Sequence, residues 1–133
     1  MRPDRHDAAL LLDMIEHARR AVAYTTGRTF EDYLADTMLR DAVERVIQIT
    51  GEAASKISRS FREAHPDIPW RPIVAQRHIL VHEYGEIHHD KIWRVVTVHI
   101  PVLIRLIEHL IPPPPPDPVP EIPPGDYPGG SER

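Results

Sequence analysis

Apolar residues recur at spacings of three and four in the periodic segments of residues 1–111 of this chain, and no segment gives a strand signal. Spacings of three and four place side chains on one face of an α-helix, whereas alternation would indicate a half-buried strand. The pattern therefore predicts an all-α domain. Because four long stretches carry it, we expect an up-and-down bundle of four main helices.

Capping residues predict where the first helices begin and end. Asp4 caps a first helix, with Asp7 as a short capping-box acid, and Gly27 ends it in the left-handed conformation. Thr29 and Asp32 then predict a brief helical turn.

The long second helix, residues 37–58, is capped by Asp36 and carries the clearest apolar stripe. The stripe consists of Leu39, Val43, Val46, Thr50, Ala53 and Ile57, widened by Ile47 and Ala54.

The other two main helices follow a proline-rich connection, residues 65–72. One runs from about Trp70 to about His82, and the last is capped by Asp90 and kinked by Pro101. On that last helix we expect His99 at the edge of the core with a hydrogen-bond partner. We expect His88 and His89 to lie in a solvated turn.

Proline sets the other end of the domain, since ten of the fifteen prolines lie between Pro112 and Pro128. We therefore predict one helical domain over residues 1–111 and a disordered or polyproline-II tail over residues 112–133. The N-terminal residues are charged, and no apolar run reaches the length of a membrane span. We expect a cytoplasmic protein without membrane contact.

Composition narrows the function classes. The chain has no cysteine, which excludes disulfides and thiolate zinc sites. Its net charge of −4 argues against a general nucleic-acid coat protein. Residues 56–111 nevertheless hold eight Lys/Arg against six Asp/Glu, and seven of the nine histidines. The net charge therefore does not exclude a local site, and we expect positive potential, where it exists, in the second half of the domain.

The run with most chemical content is Arg77-His78-Ile79-Leu80-Val81-His82-Glu83-Tyr84. Arginine binds phosphate through a planar fork of N–H donors, and histidine exchanges protons near neutral pH. On one ideal helix Arg77 and His82 would be about 140° apart. Either the helix ends near His82, or two copies of the chain bring both residues to one cleft. The pairing of residue types favours phosphodiester chemistry.

Arg77-x4-His82-x-Tyr84 resembles the signature of the HepT type of HEPN-domain toxins. The resemblance extends over residues 1–111 through the flanking runs Met1-Arg2-Pro3-Asp4-Arg5, Leu39-Arg40-Asp41-Ala42-Val43, Ile49-Thr50-Gly51-Glu52-Ala53-Ala54, His65-Pro66-Asp67-Ile68-Pro69-Trp70 and His82-Glu83-Tyr84-Gly85-Glu86-Ile87.

The resemblance implies a HEPN-like helical domain, a homodimer with the active cleft at its interface, and metal-independent endoribonuclease activity without a cofactor. Arg77 and His82 match the catalytic positions. The family commonly has asparagine after the arginine. This chain has His78 there, which we treat as a candidate substrate contact whose role is open.

The resemblance also implies the toxin of a type VII-like HEPN/MNT toxin–antitoxin pair. The partner would be an MntA-like minimal nucleotidyltransferase, bound to the homodimer or in a larger hetero-oligomer. This antitoxin would neutralise the toxin by binding and by transferring AMP from ATP to Tyr84.

Two other interpretations of the function of these residues stay open. A helical dimer without nuclease activity could serve as a binding or scaffold subunit of a nucleotidyltransferase, which the acidic net charge favours. His78 and His82 are also spaced to share a helix face and bind zinc. However, the sequence lacks the His-Glu-x-x-His pattern of a catalytic zinc helix.

Overall fold

A computed structural model describes residues 2–76 and 88–111, together with Pro123 and Gly125. All regular elements in these residues are helical, which confirms the predicted all-α bundle. None of the described helices is both long and apolar enough to cross a membrane. The predictions for residues 77–87 and for the rest of the proline-rich tail fall outside the described residues, and the boundary at residue 111 stays a prediction.

The described residues form seven α-helices with two short helical segments of other types. One is a π-helical turn between the last two α-helices, and the other is a 3-10 turn that follows them. Their bounds are α1 Arg5–Thr25, α2 Phe30–Ala35, α3 Thr37–Lys56, α4 Arg59–Ala64, α5 Trp70–Ala75, α6 His89–Arg94, π turn Val95–His99, α7 Ile100–Ile107 and 3-10 turn Glu108–Leu110. The sequence pattern did not predict α4.

The four main helices of the bundle are α1, α3, α5 and the continuous helix from α6 to α7. α1 packs along α3 and α7, α3 also contacts α5, and the short α2 contacts both α3 and α6. One core fills the space between them, and all the residues of the predicted α3 stripe are buried in it. The largest fully buried side chains are Tyr33, Phe61, Leu11, Met14, Ile15, Ile47, Ile57, Ile68, Ile92, Ile100, Ile107 and Val43.

The predicted caps position the first three helices. The Asp4 carboxylate accepts a hydrogen bond from the Asp7 backbone N–H at 2.7 Å. Thr29 and Asp32 form a reciprocal capping box at α2, and the Asp36 carboxylate accepts from the Leu39 N–H at the start of α3. Gly27 follows α1 with φ of 76°, a conformation that costs glycine little because it has no Cβ.

The predicted capping-box role of Asp7 is wrong. Its side chain is buried and faces α4, where it accepts hydrogen bonds from the Ser58 backbone N–H at 2.8 Å and the Ser58 hydroxyl at 2.6 Å. Ser58 in turn caps α4, because its Oγ accepts from the Phe61 N–H. The buried carboxylate therefore joins the first turns of α1 and α4, two segments that are far apart in sequence.

The last helix begins earlier than predicted. His88, not Asp90, is the N-cap, and its carbonyl accepts hydrogen bonds from the N–H groups of Lys91 and Ile92. Asp90 is the second residue of this helix, and a negative charge in the first turn is favourable near the helix N-terminus.

Pro101 coincides with a change of helical type. A proline cannot donate to the carbonyl four residues back, here that of Thr97, and its ring collides with that carbonyl in an α-helix. The preceding residues form a π turn, in which the Ile100 N–H donates to Val95 O, five residues back. The turn holds one more residue than an α-helical turn, and Ile100, directly after it, is buried in the core. His99 is exposed, and its predicted place at the core edge is wrong.

We expect Ser58→Ala to destabilise the fold by about 2–3 kcal/mol. The substitution removes the α4 cap, worth about 1 kcal/mol, and one of the hydrogen bonds of the buried Asp7 carboxylate. Urea unfolding followed by circular dichroism measures the change.

Ser55→Ala is the control, since the Ser55 hydroxyl donates to the Glu52 carbonyl of its own helix α3 and lies outside the Asp7 contact. It should stay within about 0.5 kcal/mol of wild type. Equal losses for the two variants would show that the contact with Asp7 contributes nothing to stability.

Candidate active site

The four residues singled out from the sequence, Arg77, His78, His82 and Tyr84, lie in residues 77–87, which we call the motif segment. All four fall outside the described residues. The structure describes the two places where the motif segment joins the bundle: Gln76, after α5, and His88, at the start of α6.

Gln76, directly before the motif segment, is held against α3. Its side chain is buried, and its amide Nε2 donates to the Ile47 carbonyl at 3.1 Å. Ile47 is itself a fully buried residue of α3. A buried side-chain amide is costly to leave without partners, so this hydrogen bond fixes the position of the residue directly before Arg77.

His89, two residues after the motif segment, is held in a cluster of aromatic rings. Its Nδ1 lies 3.3 Å from the Tyr33 hydroxyl, and the two rings meet edge to face with centroids 5.7 Å apart. Tyr33 is fully buried and also contacts Phe30 and Trp93, with centroids 6.2 and 5.4 Å away. The expected solvated turn is therefore wrong for His89, which packs on α2.

The same end of the bundle carries two acidic groups with raised pKa values. Burial raises the pKa of Tyr33 above its ordinary value, with a further contribution from the charge of Glu44. Burial also raises the pKa of Glu44, and the charge of the nearby His89 partly offsets this by lowering it. Tyr33 therefore stays a neutral phenol that can either donate to or accept from the imidazole. Glu44 is a half-buried carboxylate near His89.

Metal binding has no support from the described residues. Within residues 2–76 and 88–111 no group of three or more histidine, aspartate or glutamate side chains is placed to hold an ion. The zinc hypothesis concerned His78 and His82, which lie outside this part of the chain.

An apolar groove of about 450 Å³ lies between α5 and the last helix. Gln76 forms part of its lining, so the groove reaches the N-terminal end of the motif segment. Its other lining residues are Pro69, Pro72, Ile73, Ala75, Val95, His99, Ile100, Val102 and Leu103. Val102 and the neighbouring Val98 are exposed apolar side chains on the same helix.

Sequence comparison assigns the family. Residues 14–110 match the profile of the family described as HepT-like ribonuclease, and this match spans the whole motif segment. The chain belongs to the HepT-like ribonuclease family.

Three relatives illustrate this membership. A candidate RNase of Methanocaldococcus jannaschii is 33% identical over 100 residues, which cover 75% of this chain and 92% of the relative. A candidate ribonuclease HepT of Thermococcus cleftensis is 35% identical over 104 residues, covering 78% and 89%. A candidate RNase of Caldanaerobacter subterraneus is 34% identical over 85 residues, covering 64% and 76%. No solved structure matches the chain.

The described HepT-like bundle includes three polar or titratable residues that the sequence did not single out, Gln76, Tyr33 and Glu44. His89 was expected only in a solvated turn. The partners of Gln76 and His89, on α3 and α2, are far away in sequence. Only the tertiary structure reveals those contacts.

We expect Glu44→Gln to stabilise the protein at about pH 8 and to have no effect at about pH 3. The raised pKa means that the folded chain retains a proton that the unfolded chain has released above the ordinary value of 4.5. Wild-type Glu44 therefore costs stability as the pH rises, and the neutral amide removes this cost.

Thermal unfolding of both proteins across this pH range tests the expectation. Glu16→Gln, at an exposed site in the middle of α1, is the control. A gain that stays constant with pH would contradict the assignment to ionisation of Glu44.

Proposed function

We propose that this chain is a metal-independent endoribonuclease and the toxin of a HEPN/MNT toxin–antitoxin pair. The family match carries the proposal, because it extends over residues 14–110 and so includes Arg77-x4-His82-x-Tyr84. The relatives named as candidate ribonucleases support the same activity. We place the reaction in the cytoplasm, on an RNA substrate, with the folded domain at residues 1–111.

The proposed reaction is an internal transfer at phosphorus. A neutral His82 imidazole removes the proton of the ribose 2′-hydroxyl, and the 2′-oxygen forms a bond to phosphorus. The bond from phosphorus to the 5′-oxygen breaks, and a protonated His82 imidazole gives that oxygen its proton. Arg77 stabilises the negative charge that develops on the phosphoryl oxygens. His78 is a candidate contact for the substrate.

The reaction as proposed needs two histidines, which a homodimer supplies. The exposed apolar groove between α5 and the last helix supports a second copy of the chain as its occupant, since the groove reaches Gln76, directly before Arg77. Covering the exposed side chains of Val98 and Val102 would remove apolar surface from water. The two motif segments would then approach each other at the interface.

The proposed antitoxin is an MntA-like nucleotidyltransferase that acts on Tyr84. The phenol releases its proton to solvent, its oxygen attacks the α-phosphorus of ATP to form a bond to AMP, and pyrophosphate leaves with the electron pair of the broken bond. The attached phosphate adds negative charge and bulk two residues from His82. Both effects oppose the binding of an RNA phosphate.

We expect expression of the wild-type chain without an antitoxin to stop bacterial growth and degrade RNA. Arg77→Ala and His82→Ala should each reduce cleavage by the purified protein by about 10²–10⁴-fold, because each removes a group that acts in the transition state. Cleavage of labelled RNA in the presence of a chelator measures the effect.

His6→Ala, at an exposed histidine on α1, is the control and should cleave like wild type. Intact RNA and normal growth with the wild-type chain would contradict the toxin proposal. Complex formation with a nucleotidyltransferase that survives in His82→Ala, combined with that result, would favour the scaffold function.

We expect incubation with the cognate nucleotidyltransferase and ATP to add AMP to the peptide that contains Tyr84. Mass spectrometry of the digested protein locates the modification. Tyr84→Phe should lose it, whereas Tyr24→Phe, at an exposed tyrosine of α1, should retain it. Unchanged modification of the Tyr84→Phe protein would place the acceptor elsewhere.

A further inference from the structure

A second groove, of about 540 Å³, lies between α4 and α5. We call it the arginine groove, because its lining includes Arg59, Arg62 and Arg71 with a single carboxylate, Glu63. None of these residues belongs to the motif segment.

The arginine groove is a local excess of positive charge in a chain of net charge −4. Glu63 is engaged by Arg59, whose Nε lies 2.8 Å from its Oε1. Among the described residues, the other ion pairs join Arg19 to Glu108 and Arg28 to Asp36. Arg62 and Arg71 are in no ion pair within the described residues, so two guanidinium groups face the groove without a carboxylate partner there.

The walls of the arginine groove are held in place by the packing beneath them. Trp70 begins α5, and its indole Nε1 donates to the His65 carbonyl at 3.0 Å. The indole meets the ring of Phe61 edge to face at 6.3 Å, and Phe61 is fully buried in α4. The helices that carry Arg62 and Arg71 are therefore fixed relative to each other before any ligand binds, which reduces the entropic cost of binding.

The arginine groove also lies close to the motif in the chain. Ala75 is part of its lining and precedes Arg77 by two residues, a distance of at most about 7 Å. Guanidinium groups bind phosphate oxygens in a bidentate manner, and grooves lined with cations follow the backbone of single-stranded nucleic acid.

We propose that the arginine groove binds the sugar–phosphate backbone of the RNA substrate next to the cleavage site. This inference rests on the proposed ribonuclease function and extends it, because it names where the uncut part of the substrate is held. Arg62 and Arg71 contact phosphates, and Arg59 is shared between Glu63 and the RNA.

Fluorescence anisotropy with a labelled 2′-O-methyl RNA of about 12 nucleotides tests the proposal. This probe lacks the 2′-hydroxyl nucleophile and stays intact. Arg62→Gln/Arg71→Gln should bind it about tenfold more weakly than wild type at about 0.1 M salt. The slope of log affinity against log salt should fall by roughly 1.4, which corresponds to two lost phosphate contacts.

Arg20→Gln/Arg45→Gln is the matched control. Both residues are exposed, neither lines the arginine groove, and the double change lowers the net charge by the same two units. It should bind within about twofold of wild type. Equal loss for the two double variants would overturn the proposal in favour of overall charge, and unchanged binding by Arg62→Gln/Arg71→Gln would overturn it outright.

Cleavage measurements separate this proposal from the proposed function. Arg62→Gln/Arg71→Gln should raise KM for a long RNA and leave the cleavage of a dinucleotide unchanged. If the wild-type chain cuts RNA and the double variant binds the probe normally, the proposed role of the arginine groove is refuted and the proposed ribonuclease activity is not. Groove-dependent binding by a wild-type chain that cuts no RNA would support the groove and refute the nuclease.

Discussion

The packing of α1 on α3 is the interaction on which the rest of the bundle depends. The inward faces of these two long helices form the largest contact in the described structure. Every other main helix is attached to one of them, α7 to α1 and α5 to α3. Burial of apolar surface along this contact drives the association, and the remaining helices pack on a surface that it creates.

This arrangement fixes the residues on both sides of the motif segment through contacts with the inner helices. Gln76 is held by a backbone carbonyl of α3, and His89 by a tyrosine of α2. The bundle thus determines where the motif segment starts and where it returns. The proposed roles of the run between these two points are to bind phosphate, transfer protons and accept AMP. The arginine groove adds a surface that is complementary to a polyanion on the helix leading into that run.

Local signals in the sequence predicted the fold well, because caps and apolar stripes act within a few residues. Asp4, Thr29 and Asp36 begin the helices that the sequence indicated, and the α3 stripe is buried as expected. The wrong predictions concern side chains whose contacts are with residues that are distant in sequence. Asp7 bonds to Ser58, and His89 packs on Tyr33. For the site, the sequence supplied a motif and a family. It could not supply Gln76, Glu44 or the arginine groove, since these depend on which helices meet.

The π turn before Pro101 lets one continuous helix contain a proline without a break in the core. Ahead of the turn, Trp93 contacts the aromatic rings of α2, and after it the α7 residues pack on α1. The buried residues of this helix keep spacings of four, four, three and four across the turn: Ile92, Val96, Ile100, Leu103 and Ile107. One apolar face therefore runs along the whole helix, although Pro101 cannot donate the hydrogen bond that an α-helix needs at this point. A helix that a proline would ordinarily interrupt thus connects α2 to α1 as a single element.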